Sequence, residues 1–235
     1  MTTKYSFEVP IPHLRDFEPY QDYTFMLSFL LGNKKYKAYL WKKLYGEGSI
    51  YIDNSYNELR VPQECTQMID IFKEYSPTKV VCPDSNTWST DQVEEAACRM
   101  LYEVPAEKLM ILYKNMDEWK MLNRLDIPQL SRACSYDWRK KFSPEFMFPG
   151  SHFLGLLDIE EVTKYKPPTL DTSMPIKLAL IGMTIDEWRD KGYPHIHTHQ
   201  DENFFTRVLK PKVLDLSIKN ILDLKEITKW QNSEI

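Results

Sequence analysis

Three aspartates share one local sequence context, in which an apolar run precedes the residue and small polar residues follow it. They are Asp53, Asp84 and Asp171. A single aspartate in such a place is more often a helix cap or a loop residue. Three in the same context need a further reason, because carboxylates that lie close together repel one another. We therefore treat these three residues as candidates for function.

Carboxylates gathered in one place support two kinds of chemistry. They can bind a divalent cation, since hard cations prefer oxygen ligands. They can also act on a glycosidic bond, where one carboxylate attacks the anomeric carbon and another transfers a proton. The covalent intermediate then divides one difficult step into two easier ones. The residues alone leave both options open.

Three alternating histidines form a second cluster of reactive side chains. His195, His197 and His199 would share one face of a strand and, together with Asp201, could hold a metal ion. A polar loop explains the same spacing, and we favour it because alternating histidines alone are a weak motif. We expect no metal and no cofactor, and a metal-dependent hydrolase stays an alternative function.

The elements that must position these residues are short apolar runs that alternate with helical patterns. Strands are predicted at residues 23–31, 49–53, 79–82, 108–113, 130–135, 151–156 and 169–171. Helices are predicted at residues 34–45, 62–75, 91–102, 116–125, 159–165, 175–181 and 186–190, with Thr90 as the N-cap of the third.

About seven strand–helix units in a row predict parallel strands joined by crossover helices. We expect a mixed α/β fold, a (β/α)8-type TIM barrel, and keep an open doubly wound sheet as the alternative. Residues 204–213 and 218–230 are predicted to be closing helices. The whole chain, 1–235, is expected to be one domain with 193–235 as a C-terminal helical extension. In such a barrel the three aspartates, each from a different strand end, should converge on one face.

Composition narrows the classes of protein further. Hydrophobic residues make up 43% of the chain, which is enough for a packed core. The chain contains no run of 18 apolar residues, so we expect no membrane span. The cysteines lack CxxC spacing, which argues against a zinc site or a disulfide framework and favours a cytoplasmic setting. The formal net charge is −4, so nucleic-acid binding would need a local basic face. Candidates for such a face are the lysines of 34–43 and the basic residues 139–141, although we favour their interpretation as solvated helix faces.

Four segments give the chain a family resemblance. They are Ile-Asp-Asn-Ser-Tyr-Asn-Glu-Leu at 52–59, Val-Val-Cys-Pro-Asp at 80–84, His-Phe-Leu-Gly at 152–155 and Leu-Asp-Thr-Ser-Met-Pro at 170–175. In this order they resemble the tRNA-guanine transglycosylase superfamily, and more closely its phage and bacterial branch of DNA 7-deazaguanine transglycosylases. The resemblance covers about residues 9–185.

The resemblance implies that the chain exchanges guanine in duplex DNA for a 7-deazaguanine base, such as the 7-cyano or 7-aminomethyl form. Asp171 resembles the nucleophile, and Asp53 resembles the carboxylate that moves protons on the two bases. Asp84 resembles the group that accepts hydrogen bonds from the purine edge. Further substrate-binding residues are expected among the small polar and glycine residues of the same segments: Asn54, Ser55, Ser85, His152, Gly155 and Ser173.

Two departures from the family pattern concern the partner nucleic acid and the incoming base. The tRNA enzymes carry a Cys/His zinc site after the nucleophile strand, whereas no cysteine follows Cys134 here, which favours DNA over tRNA. The Gly-Gly turn of the family's base pocket is replaced by Ser-Arg-Ala-Cys-Ser at 131–135. A homodimer or an accessory protein is expected to help with DNA capture. Base hydrolysis and a non-catalytic DNA-binding accessory protein stay alternatives.

Overall fold

A computed structural model describes residues 3–46, 48–141, 150–194, 196 and 202–230. Within them the chain alternates strands and helices. The strands are β1 (Lys4–Phe7), β2 (Thr24–Leu27), β3 (Ile50–Asp53), β4 (Lys79–Val81), β5 (Leu109–Tyr113), β6 (Ser131–Cys134), β7 (His152–Leu154) and β8 (Thr169–Thr172).

The α-helices are α1 (Leu14–Phe17), α2 (Lys34–Tyr45), α3 (Tyr56–Leu59), α4 (Cys65–Tyr75), α5 (Thr90–Glu103), α6 (Met116–Leu125), α7 (Tyr136–Lys141), α8 (Ile159–Tyr165), α9 (Met174–Leu180), α10 (Ile185–Asp190), α11 (Glu202–Thr206) and α12 (Pro211–Trp230). Short 3-10 helices occupy Ile11–His13, Glu18–Tyr20, Ser28–Gly32 and Ala106–Lys108. None of the helices in the described part of the chain is long and apolar enough to cross a membrane.

The strands form one eight-stranded sheet in the order β1-β8-β7-β6-β5-β4-β3-β2. From β2 to β8, strands that follow each other in sequence are neighbours in the sheet. The first strand pairs in parallel with the last, with Lys4 opposite Thr169 and Phe7 opposite Thr172. An open doubly wound sheet reverses its strand order near the middle instead. The predicted (β/α)8 barrel class is therefore confirmed.

The chain divides into two compact units. Residues Met1–Asp22 and Phe153–Ile235 make up the first, which we call the terminal unit, and Tyr23–His152 make up the second, which we call the central unit. The terminal unit contains β1, β7 and β8, and the central unit contains β2 to β6.

Strands β2 and β5 belong to the core of the central unit along their whole length. All five residues of β5 are buried, as are all four of β2, as expected for parallel strands that are covered on both faces. Helix α5 begins after a capping box in which the Ser89 hydroxyl accepts from Gln92 N–H and the Gln92 side chain accepts from Ser89 N–H. The N-cap is thus Ser89 and the prediction of Thr90 was wrong by one residue, because Ser89 has the extended backbone that a cap requires.

The terminal unit contains a strand that the sequence patterns did not predict. Strand β1 has four residues, of which Tyr5, Ser6 and Phe7 are buried and only Tyr5 and Phe7 are apolar, so its apolar signal is short. Its place is fixed by pairing with β8 and by the Tyr5 hydroxyl, which donates to Thr228 on α12 over 2.9 Å.

The two C-terminal helices begin and end at other residues than predicted. Helix α11 ends at Thr206, and α12 is one continuous helix of 20 residues from Pro211. Proline lacks the N–H that a helix interior needs but suits a first helical turn, so Pro211 separates the two helices and starts the second. The predicted boundaries at 213 and 218 missed this signal.

Helix α12 is fixed within the terminal unit by the fully buried amide of Asn220. Its Oδ1 accepts from Ile185 N–H over 3.0 Å, and its Nδ2 donates to the carbonyls of Pro175 and Met183, each over 3.1 Å. One side chain thereby joins α12 to the chain segments around α9 and α10.

We expect Asn220→Ala to lower the free energy of unfolding by about 2–4 kcal/mol, because a buried N–H and two buried carbonyls lose their partner. Urea denaturation measures the change. Lys219→Ala on the same helix is the control, since its exposed ion pair with Asp223 contributes little. Equal effects of the two substitutions would show that Asn220 does not anchor α12.

Candidate functional site

The three predicted aspartates each lie at the carboxyl end of a strand. Asp53 is the last residue of β3, Asp84 follows β4, and Asp171 is the third residue of β8. Asp53 and Asp84 belong to the central unit and Asp171 belongs to the terminal unit. Their convergence on one face stays a prediction, and the surroundings of each are described within its own unit.

In the terminal unit, Asp171 forms a pair with a carboxyl group that the sequence patterns did not single out, that of Glu8. The residues are brought together by the register of β1 and β8, in which Ser6 lies opposite Asp171 and Glu8 N–H donates to Thr172 O over 3.3 Å. Their side chains are hydrogen-bonded to each other. Two carboxyl groups can form such a bond only when one of them carries a proton.

Burial decides which of the two holds that proton. Although Glu8 as a residue is partly exposed, its Oε2 is hidden from solvent, and no donor among the described residues reaches it. Burial raises the pKa of Glu8 well above its ordinary value, and the charge of Asp171 and the hydrogen bond to it raise the pKa further, while Lys177 opposes them. The direction of this shift favours the neutral acid form of Glu8 beside Asp171.

The backbone around Asp171 is held by its neighbours. Gly155 N–H donates to Asp171 O over 3.0 Å, and Gly155 has a φ of +69°, a conformation that glycine adopts without strain. Thr172 Oγ1 accepts from Met174 N–H over 3.0 Å at the start of α9, and Ser173 is buried beside it. The predicted substrate contacts of Gly155 and Ser173 stay predictions.

In the central unit, Asp84 is buried and both its oxygens are held. Asn54 Nδ2 donates to Asp84 Oδ1 over 2.6 Å and to Cys82 O over 2.6 Å. Lys114 Nζ donates to Asp84 Oδ2 over 2.9 Å and to Ser85 O over 2.8 Å. A cation and an amide thus contact the Asp84 carboxyl group in the interior, in place of water.

Lys114 is tied to a second buried carboxyl group, Glu118, on α6. Lys114 N–H donates to Glu118 Oε2 over 2.7 Å, and Asn115 Nδ2 donates to Oε1 over 2.9 Å. Burial raises the pKa of Glu118, whereas the charge and the backbone N–H of Lys114 lower it. Neither Lys114 nor Glu118 was predicted, although a lysine directly after the apolar run of β5 carries the same strand-end signal as the aspartates.

Asp53 starts a tight turn between β3 and α3. Its Oδ2 accepts from Ser55 N–H over 2.7 Å, and Ser55 is buried with a φ of +58°, a left-handed conformation that is uncommon for serine. Ser55 Oγ lies 2.9 Å from Ser28 Oγ, and Asn54 Oδ1 accepts from Tyr56 N–H over 3.0 Å. The turn thereby presents Asn54 to Asp84, and strain of this kind recurs at functional sites.

The remaining predicted substrate ligands of this unit bond within the protein. Ser85 Oγ lies 2.9 Å from Thr87 Oγ1. His152 is buried and stacks on Phe25 with ring centroids 5.7 Å apart. Burial, and next the charge of Arg139, lower the pKa of His152 to about 3, so its imidazole is neutral at pH 7. Contact of Ser85 and His152 with a substrate stays a prediction.

The predicted metal cluster falls on residues of which the structure describes nothing. His195, His197, His199 and Asp201 all lie outside the described ranges. Among the residues that are described, no group of three or more His, Cys, Asp or Glu side chains could hold a metal ion.

Comparison with known proteins supports the fold alone. The structure of CdNal from Clostridium difficile in complex with mannosamine is similar to this chain with a TM-score of 0.51 and 9% sequence identity, and the match covers 97% of this chain and 81% of that one. No protein-family model matches the chain, and no curated protein matches it. The resemblance to the transglycosylases stays a prediction.

The pair of Glu8 and Asp171 predicts a pH dependence of stability. The pKa of Glu8 is higher in the folded than in the unfolded chain, so the folded state retains a proton that the unfolded state loses. This contribution is complete below the ordinary pKa of 4.5 and is lost as the pH rises through the raised value. We expect Glu8→Gln, which cannot ionise, to flatten the fall in unfolding free energy above pH 4.5, as measured by urea denaturation across pH.

The matched control is Glu107→Gln, an exposed carboxyl group that should leave the pH profile as it is in the wild type. A Glu8→Gln profile that falls as steeply as that of the wild type would show that Glu8 does not hold the shared proton.

Proposed function

We propose that this protein is an enzyme that exchanges guanine in DNA for a 7-deazaguanine base, with Asp171 as the nucleophile. The observation that carries the proposal is the pair of Asp171 and Glu8 at the ends of neighbouring strands. A nucleophilic carboxylate must be ionised, and a protonated partner keeps Asp171 in that form inside the protein. Retaining enzymes that act on glycosidic bonds combine an ionised nucleophilic carboxylate with a protonated carboxyl group.

In the first step, the Asp171 carboxylate attacks C1′ of the deoxyribose, the bond from C1′ to guanine breaks, and the base leaves with the electron pair. The resemblance gives Asp53 the task of supplying the proton to this base. In the second step, the incoming base gives a proton to Asp53, attacks C1′ and displaces Asp171 as a free carboxylate. Two inversions leave the configuration of the sugar unchanged, and no bond energy has to be supplied from a nucleotide.

Recognition of the base falls to Asp84 in this proposal. Asp84 Oδ1 and Oδ2 each accept one hydrogen bond from the protein, and a carboxylate oxygen has room for a second. A buried carboxyl group with acceptor oxygens suits the N–H groups on the edge of a guanine. The guanine must leave the DNA stack to present that edge and its C1′, as it does in other enzymes that act on bases.

DNA is favoured over tRNA by the sequence after β8, which contains no cysteine for the zinc site of the tRNA enzymes. The same pair of carboxyl groups would also serve hydrolysis of the base, with water in place of the incoming base. The two reactions differ in whether release of guanine depends on a second base, so the experiment includes that comparison.

The test uses duplex DNA that carries tritium-labelled guanine, incubated with the purified protein with and without 7-cyano-7-deazaguanine or its 7-aminomethyl form. We expect label to be released only when an incoming base is present. Asp171→Asn should reduce the rate by about a thousandfold or more, since it removes the nucleophile. Asp190→Asn, an exposed carboxylate on α10, is the matched control and should exchange like the wild type.

Release of label without any incoming base would show that the protein hydrolyses the bond to guanine and does not exchange the base. Exchange by Asp171→Asn at the wild-type rate would contradict the role of Asp171.

A further inference from the structure

Helix α2 is rich in positive charge, although the chain as a whole is acidic. Its twelve residues contain five lysines and no acidic residue, whereas the whole chain has a formal net charge of −4. The lysines are Lys34, Lys35, Lys37, Lys42 and Lys43.

The helix arranges these residues on two faces. Tyr36, Tyr39 and Leu40 are buried and hold α2 against the central unit. Lys34, Lys35 and Lys42 are exposed, as is Ala38 between them. With 100° per residue, Lys34, Lys35, Ala38, Lys42 and Tyr45 lie within about one third of the helix circumference. We call this set the lysine face.

An exposed aromatic ring lies at the end of the lysine face. Tyr45 is 84% exposed, and its ring lies 6.0 Å from that of Trp41, one turn earlier. Large aromatic side chains are normally withdrawn from water. A tyrosine left in solvent beside lysines offers a stacking surface next to positive charge, and this combination is used to bind nucleic acids.

The position of the lysines is unfavourable for the helix itself. Lys34 and Lys35 occupy its first turn, where no acidic residue is present and where the helix dipole disfavours positive charge. Two other helices of the central unit have acidic first turns, with Asp91 in α5 and Asp117 and Glu118 in α6. The lysine face thus departs from the pattern that stability alone would favour.

The length of the lysine face matches the spacing of phosphates in a nucleic acid. Lys34 and Lys42 are eight residues apart, which is about 12 Å along the helix axis. Duplex DNA carries a charge about every 3.4 Å along each strand, so the lysine face spans about three to four phosphates. An anionic membrane is disfavoured as the partner, because the apolar side of α2 is buried and cannot enter a bilayer.

We propose that the lysine face of α2 binds the phosphate backbone of the nucleic acid, with Tyr45 stacking on a base. The identity of that nucleic acid as DNA rests on the proposed function, but the surface itself is defined by α2. Lysines contact the phosphates without reading the sequence, so this surface supplies affinity and not a choice of base.

The test measures binding by fluorescence anisotropy of a labelled 20-base-pair duplex at several salt concentrations. It compares the wild type with the triple variant Lys34→Gln, Lys35→Gln and Lys42→Gln. We expect the triple variant to bind about tenfold to a hundredfold more weakly near 0.1 M salt. The slope of log affinity against log salt should become shallower by roughly 2 to 3, because each phosphate contact contributes about 0.9 to it.

The matched control replaces three exposed lysines of the terminal unit, Lys191, Lys212 and Lys219, by glutamine. It changes the net charge equally and should keep the wild-type slope. Circular dichroism melting of both triple variants confirms that they fold. Tyr45→Ala should weaken binding of single-stranded DNA severalfold more than that of the duplex, since it removes a stacking surface.

Wild-type affinity and slope in the α2 triple variant would overturn the proposal, as would equal losses in the two triple variants. Binding to phosphatidylserine vesicles that depends on these lysines, without any binding of DNA, would also overturn it. The two proposals can fail separately. DNA binding that requires the α2 lysines, in a wild-type protein that exchanges no base, supports the lysine face and contradicts the transglycosylase function.

Discussion

Two carboxyl groups on adjacent strands cannot both be ionised in a place that water does not reach. Glu8 and Asp171 satisfy this constraint by sharing a proton, and the parallel pairing of β1 with β8 enforces their closeness. This interaction makes the stability of the end of β1 depend on the protonation of Glu8. It also places Asp171 in the interior beside an acidic partner, Glu8. The function we propose needs Asp171 in its ionised form.

The central unit meets the same constraint by another route. Asp84 is neutralised by a cation, Lys114, and is oriented by the amide of Asn54. The left-handed turn at Ser55 brings Asn54 to that position. A strained backbone at Ser55 thus fixes the orientation of the Asp84 carboxyl group. One carboxylate thus has an acid as its partner and the other a lysine. The function we propose gives these two carboxyl groups different tasks, with Asp171 as the nucleophile and Asp84 as the group that recognises the base.

The sequence predicted those parts of the fold in which local signals agree with tertiary packing. The bounds of α2, α6 and α8 were predicted to the residue, since each has a cap, a clear apolar periodicity and a defined end. Strand β1 escaped prediction because four residues with three buried positions give too short a signal, and Glu8 was missed with it. Lys114 and Glu118 were missed for other reasons. Lys114 follows β5 as the aspartates follow their strands, but we considered only carboxyl groups in that context. The burial of Glu118 depends on tertiary packing, which no local pattern encodes. The three aspartates were predicted because the same local context occurs three times in the sequence, and this repetition can be recognised without knowledge of the fold.

The protonation of Glu8 is the claim that can be tested most directly. Titration of the Glu8 side-chain carboxyl carbon by 13C NMR would measure its pKa in the wild type and in Asp171→Asn. We predict a value well above 4.5 in the wild type, and a lower one in the variant that is still raised, because burial remains after the neighbouring charge is removed. A Glu8 carboxyl group that titrates near 4.5 in both proteins would contradict the shared proton and remove the main support for Asp171 as the nucleophile.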